Sequence, residues 1–197
     1  SGSNNDPYYD GKILAAVGDV LVVVPNWRLG VLGFLNVALP DAPVNAGFLD
    51  QAEALRWTMR HAAAFGGNAS DVVVVGHGSG ASAVGYHLFA GEFLQAGVRK
   101  LVFMSESPFT RYPVYGRSLD EKRAILARLV CERTERARSW LACLRDLPVA
   151  ALLEQPPGAL RGLPTFFPVL PVMWKRSSWE MLKVVVALST TVLGAYT

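Results

Sequence analysis

A glycine-rich turn, Gly76-His77-Gly78-Ser79-Gly80, constrains this chain more than any other feature of its sequence. Before it, residues 71–75 form a short apolar run rich in valine, which favours a buried strand. After it, Ala81, Ser82 and Ala83 are small enough for a helix to pack closely on a sheet. The pattern predicts a strand, a sharp turn and a helix in direct succession.

Further apolar runs predict two more strands. Residues 19–24 are unbroken, rich in β-branched side chains and ended by Pro25, as expected of a strand covered on both faces. Residues 100–104 predict a third strand. Residues 28–44 are rich in glycine, proline and small apolar residues, and they predict a long ordered loop.

Helices are predicted between these strands. Apolar side chains recur at steps of four and three over residues 48–62, and Gly66-Gly67 is expected to end that amphipathic helix. Ser118 and Glu121 have capping-box spacing for a helix that reaches Cys131. The alternation predicts an α/β fold with a mostly parallel central sheet flanked by helices.

Composition excludes several kinds of function. The chain has a formal net charge of +3, with 51% hydrophobic and 18% charged residues, so neither disorder nor a nucleic-acid partner is expected. His61, His77 and His87 share no metal-ligand spacing with carboxylates or cysteines, and neither a metal nor a cofactor is expected. Residues 184–197 are apolar but shorter than the ~20 residues of a membrane helix, so a membrane anchor in this chain is not expected.

The glycine turn has the context of a nucleophile elbow, Gly-x-Ser-x-Gly, in which the central side chain performs the chemistry. Gly76 and Gly80 occupy the flanking positions, where a side chain is expected to collide with the strand and helix. The central residue is Gly78, which has no hydroxyl to attack an ester. Ser79 is the fallback nucleophile, but one residue past the centre its side chain is expected to turn away. His77 is expected to be a polar residue beside the turn, without a catalytic role.

Several ordered blocks resemble the type B carboxylesterases and cholinesterases, including their catalytically deficient, neuroligin-like members. They are Tyr9-Asp10-Gly11, residues 23–35, Leu49-Asp50-Gln51, Ala64-Phe65-Gly66-Gly67 and residues 101–108. The resemblance runs from about residue 8 to about residue 169. It implies a partial α/β-hydrolase domain over residues 1–171, followed by an unmatched tail over residues 172–197.

The resemblance also implies where catalytic groups are expected. The family uses a serine, an acidic residue, a histidine and a glycine-rich oxyanion loop. That loop is expected upstream of Ser1, and the acid and histidine beyond Thr197. With Gly78 at the elbow, the expectation is a chain without a complete catalytic triad.

Two structural features follow from the resemblance and one from a motif. Arg28 and Asp50 match a buried ion pair of the family, and Cys131 and Cys143 match a family disulfide, which implies an oxidising compartment. Asn68-Ala69-Ser70 is a glycosylation sequon in a predicted surface turn, in agreement with secretion.

The leading hypothesis is a secreted or cell-surface binding or adhesion module, with an extracellular protein or a small ester-like ligand as its partner. The first alternative is a working serine carboxylic-ester hydrolase, divergent or truncated, that uses Ser79. The second alternative is a fragment or splice product without independent function.

Overall fold

A computed structural model describes residues 3–34, 44–106 and 137–150. Its described residues fall into two compact units: residues 3–34, 44–69 and 137–150 form the first unit, and residues 70–106 form the second. The helix predicted up to Cys131 and the tail over residues 172–197 lie outside the described residues. In the described part, no helix is both long and apolar enough to cross a membrane.

Three described helices precede the first strand, and two helices separate the two described strands. In chain order they are α1 (Lys12–Gly18), α2 (Gly30–Phe34), α3 (Ala46–His61), β1 (Val73–His77), α4 (Ser79–Ala90), α5 (Glu92–Gln95), β2 (Lys100–Met104) and α6 (Ala137–Asp146). Short 3-10 turns at Pro7–Tyr9 and Ala62–Phe65 precede α1 and follow α3.

Helix α3 confirms the amphipathic helix predicted from the apolar spacing. It begins two residues before Phe48 and ends at His61, and Ala52 on its inner face is buried. The ring of Phe48 meets that of Phe34 edge-on, with centroids 5.4 Å apart. The predicted end of the helix at Gly66-Gly67 is also confirmed. Gly66 adopts φ 82° and caps the 3-10 turn that continues the helix.

The strand predicted over residues 19–24 is wrong. Asp19 adopts φ 50° at the C-cap of α1, and residues 20–29 belong to no regular element. A strand needs a partner for its backbone groups, and in the described part no other strand pairs with this segment. One backbone group of the segment is bonded to a side chain instead: the Asn4 side chain donates to the Val24 carbonyl at 2.9 Å.

The loop predicted over residues 28–44 is interrupted by the short helix α2, while residues 35–43 lie outside the described residues. Helix α2 packs against α3. An added Cβ at Gly33 would lie 2.7 Å from the Arg28 carbonyl carbon, so the chain turns back tightly at this point. Glycine at position 33 is therefore required by this close approach.

The second unit is a β-α-α-β segment with a parallel pair of strands. The register runs from Val73 opposite Lys100 to His77 opposite Met104. Strand β2 has the predicted bounds, and β1 begins two residues later than predicted and includes Gly76 and His77. Helix α4 packs on both strands.

Burial in the second unit is one-sided. Its buried apolar residues lie on α4, on α5 and before β2, and they are Ala81, Ala83, Val84, Leu88, Phe93 and Val98. Val75 of β1 remains 58% exposed and Met104 of β2 49% exposed. The expectation of a strand buried on both faces is therefore wrong for β1, because alternate side chains point away from α4.

An ion pair joins the segment before α2 to α3. The Nε and Nη2 atoms of Arg28 donate to the two carboxylate oxygens of Asp50 at 2.7 and 2.6 Å, and the Arg28 backbone N–H donates at 3.0 Å. The pair has the expected partners, but its expected burial is wrong, since the side chains are 55% and 25% exposed. Hydrogen bonds from the Arg28 side chain are the largest effect and lower the pKa of Asp50. Partial burial opposes them by raising this pKa, and the backbone N–H and the charge of Arg28 lower it further.

Replacing Asp50 by Asn is expected to reduce the free energy of unfolding by about 1 kcal/mol, because solvent screens a half-exposed pair. A lowered pKa in the folded state means that this stability is present above the ordinary Asp pKa of about 3.9 and is lost as pH falls below it. Urea unfolding at pH 7 and at decreasing pH measures both effects. Glu53→Gln, which removes the pairs of Glu53 with Arg56 and Arg60 on exposed α3 surface, is the matched control. An Asp50→Asn loss that persists undiminished well below pH 3 would contradict the ion-pair explanation.

Candidate functional site

The turn between β1 and α4 has the backbone of a nucleophile elbow. Gly78 adopts φ 54° and ψ −124°, which resembles the first central residue of a type II′ turn. Its N–H donates to the Met104 carbonyl at 2.9 Å, and its carbonyl accepts from the Ala81 N–H at 2.8 Å. Both backbone groups of the central residue are therefore bonded, one to β2 and one to α4.

The two flanking glycines differ in what they permit. A Cβ added at Gly76 would overlap the carbonyl oxygen of Gly80 and lie 2.6 Å from the backbone nitrogen of Ala81. At Gly80 an added Cβ would meet nothing within 4 Å in the described part of the chain. The expected collision is correct for the first flanking glycine and wrong for the second, because the Gly80 side-chain direction points away from β1.

The centre of the elbow has room for a side chain. A Cβ built at Gly78 would also meet no described atom within 4 Å. Its positive φ strains any L-residue but does not forbid one, since strained residues persist where their surroundings determine the backbone. Within the described residues, the backbone at Gly78 therefore leaves open space for a side chain that glycine does not supply.

The polar side chains nearest in sequence to the centre do not form a catalytic arrangement. His77 and Ser79 are both exposed, at the end of β1 and the start of α4. Within the described residues, no hydrogen bond joins Ser79 to a histidine or a carboxylate. Among the described residues, Ser79 therefore has no hydrogen-bonded base that could remove its proton.

Sequence reasoning missed a carboxylate at the carboxyl end of β2. Glu106 accepts a hydrogen bond from the hydroxyl of Ser82, which is 2% exposed in the first turn of α4. Ser105, between β2 and Glu106, adopts φ 62°. The only sequence signal for Glu106 was its position just after a predicted strand. Functional polar residues often lie there, because the carboxyl ends of parallel strands meet at one edge of the sheet.

His87 is buried at the end of α4 and contacts residues of α5. It is 4% exposed, its Nδ1 lies 3.0 Å from an oxygen of Glu92, and its ring stacks on Phe93 with centroids 4.9 Å apart. These contacts connect the end of α4 to α5. Among the described residues, no group of three histidines, cysteines or carboxylates could hold a metal ion.

The remaining predicted sites are the disulfide between Cys131 and Cys143 and the sequon at residues 68–70. Cys143 on α6 is not a free thiol, but Cys131 lies outside the described residues, so their pairing stays a prediction. Asn68 is exposed and directly precedes a turn at Ala69 and Ser70.

Comparison with known proteins gives consistent matches. The profile of the Carboxylesterase family matches residues 1–180. Human neuroligin-2 is 35% identical over 162 residues, which are 82% of this chain and 19% of that protein. Mouse cholinesterase is 37% identical over 150 residues, 74% of this chain and 24% of that protein. Cholinesterase 1 of Branchiostoma lanceolatum is 32% identical over 157 residues, 78% of this chain and 44% of that protein. The chain thus spans about a fifth to a quarter of the length of the first two relatives.

Gly76→Ala is expected to lower the free energy of unfolding by about 1–3 kcal/mol, because the new methyl group meets backbone atoms that cannot move aside. Gly80→Ala is the matched control: it lies in the first turn of α4 with open space around it, and it should be neutral or slightly stabilising. Chemical denaturation of the two variants measures the difference. Equal effects at both positions would contradict the close approach of α4 to β1.

Proposed function

Because this chain belongs to the carboxylesterase family, whose fold is the α/β-hydrolase fold, we propose that it is a non-catalytic member that acts as an extracellular binding or adhesion module. The observation that carries the proposal is Gly78. It occupies the centre of a well-formed elbow, with φ 54° and ψ −124°, yet glycine supplies no nucleophile. Binding functions require the surface of this fold but not its triad.

The surroundings of the elbow support the same conclusion. The exposed Ser79 has no hydrogen-bonded base in the described part of the chain, and the buried His87 is engaged by Glu92 and Phe93. Glu106, the carboxylate that the structure places near the elbow helix, bonds to Ser82 and not to a histidine. A serine hydrolase needs a nucleophile, a base and an orienting acid that are joined by successive hydrogen bonds. The contacts described above do not form such a series.

The proposed location is outside the cell, either secreted or on the cell surface. Relatives at 35–37% identity include neuroligin-2 and cholinesterase, and the resemblance implies extracellular, neuroligin-like members without catalysis. We place a disulfide between Cys131 and Cys143, which requires an oxidising compartment and would contribute about 3 kcal/mol through loop closure. The proposed partner is an extracellular protein, with a small ester-like ligand as the other class.

Covalent labelling tests the loss of hydrolase chemistry. The purified, folded chain is treated with a fluorescent fluorophosphonate, which reacts with activated serines, and its intact mass is recorded. No adduct is expected, because Gly78 has no hydroxyl and Ser79 has no hydrogen-bonded base in the part of the chain that the structure describes. Gly78→Ser is expected to remain unlabelled as well, because a serine without a histidine partner is not activated.

The competing hypothesis, a serine carboxylic-ester hydrolase that uses Ser79, predicts the opposite result. A single stoichiometric adduct on the wild-type chain, abolished by Ser79→Ala, would establish that hydrolase and refute the non-catalytic proposal. Circular dichroism of each variant, recorded before labelling, ensures that a missing adduct reflects chemistry and not unfolding.

A further inference from the structure

Two aromatic rings of the first unit lie exposed beside each other just before the Asn68 sequon. Trp57 on α3 is 44% exposed and Phe65 is 63% exposed, and their ring centroids are 6.1 Å apart. The ring of Trp57 also lies 4.8 Å from that of His61. Large apolar rings that share a surface patch often mark a place where something binds. We call Trp57 and Phe65 the aromatic pair.

The chain reverses between the aromatic pair and the sequon. Gly66 adopts φ 82°, its N–H donates to the Ala63 carbonyl at 3.1 Å, and the Gly67 N–H donates to the Ala62 carbonyl at 2.8 Å. Glycine at Gly66 permits this left-handed turn without strain. Asn68 follows the turn three residues after Phe65 and is exposed. The acceptor side chain and the Phe65 ring are therefore separated by a single tight turn.

The sequence at this turn meets the requirement for N-glycosylation. Asn68-Ala69-Ser70 is the one Asn-x-Ser/Thr triplet in the 197 residues, and its middle residue is not proline. We propose that Asn68 carries an N-linked oligosaccharide and that its first sugar packs a C–H face on the exposed ring of Phe65. This inference rests on the proposed extracellular function, because only a chain in the secretory pathway meets the glycosyl donor.

The modification is a group transfer from a lipid pyrophosphate-linked oligosaccharide. A bond forms between the Asn68 side-chain nitrogen and C1 of the first sugar, and the bond between C1 and the pyrophosphate oxygen breaks. The lipid pyrophosphate leaves with the electron pair of that bond, and the amide nitrogen loses one proton. Sugar C–H groups carry partial positive charge, so they suit the electron-rich face of an aromatic ring.

Expression with a heterologous secretion leader in eukaryotic cells tests the acceptor site. Intact mass before and after peptide-N-glycosidase treatment should show a single glycan on the wild-type chain and on Ser70→Thr. Asn68→Gln and Ser70→Ala should show none. A folded wild-type chain that reaches the medium without any glycan would overturn the proposal.

Thermal unfolding tests the contact with the ring. The glycosylated wild-type chain is expected to melt on the order of 2–4 °C above the same chain after glycan removal, as a contact with one aromatic ring predicts for a domain of this size. The difference should persist in Phe65→Tyr, which keeps the ring, and disappear in Phe65→Ala. An undiminished difference in Phe65→Ala would overturn the packing of the sugar on Phe65.

Failure of this proposal is distinguishable from failure of the proposed function. A secreted chain that lacks the glycan and does not react with fluorophosphonate overturns the glycosylation alone. A glycosylated chain that reacts stoichiometrically at Ser79 overturns the non-catalytic function and supports the glycan. The two readouts are recorded on the same purified sample.

Discussion

The second unit is organised by the close approach of α4 to the end of β1. At Gly76 the strand lies so near the first turn of α4 that no side chain fits between them, and at Gly78 the backbone takes a positive φ to change direction. The N–H of Gly78 bonds to Met104 at the end of β2, so the same turn also connects the two strands. The turn thereby sets how α4 leaves the sheet and buries Ala81, Val84 and Leu88 behind it.

This turn separates the structural requirements of the fold from the chemical requirements of a hydrolase. Gly78 has the backbone conformation of the central residue of a nucleophile elbow, and under the proposed non-catalytic function it supplies no hydroxyl to attack an ester. The hydrogen bond from buried Ser82 to Glu106 connects α4 to the segment that follows β2. This bond does not join Glu106 to a histidine. A fold supported in this way can lose catalysis and still present an ordered surface for binding.

The parts predictable from sequence were those determined by local pattern. Apolar spacing located α3, valine-rich runs located β1 and β2, and glycine placement located the elbow, because each of these depends on neighbours within a few residues. Residues 19–24 have equally strong strand propensity, but a strand also depends on a distant partner for its hydrogen bonds. Glu106 and Ser82 are 24 residues apart, and no short-range pattern reports such a contact. The exposure of Arg28 depends likewise on packing around it rather than on its own segment.

The most direct test of this interpretation is the free energy of unfolding of Gly78→Ala, measured by urea denaturation. No described atom lies within 4 Å of the added methyl group, so any loss reports backbone strain and not crowding. The elbow conformation predicts a loss on the order of 1–3 kcal/mol, because L-residues rarely adopt this positive φ. Unchanged or increased stability would contradict the elbow interpretation. Such a result would mean that residue 78 has an ordinary backbone conformation and that the turn is not a nucleophile elbow.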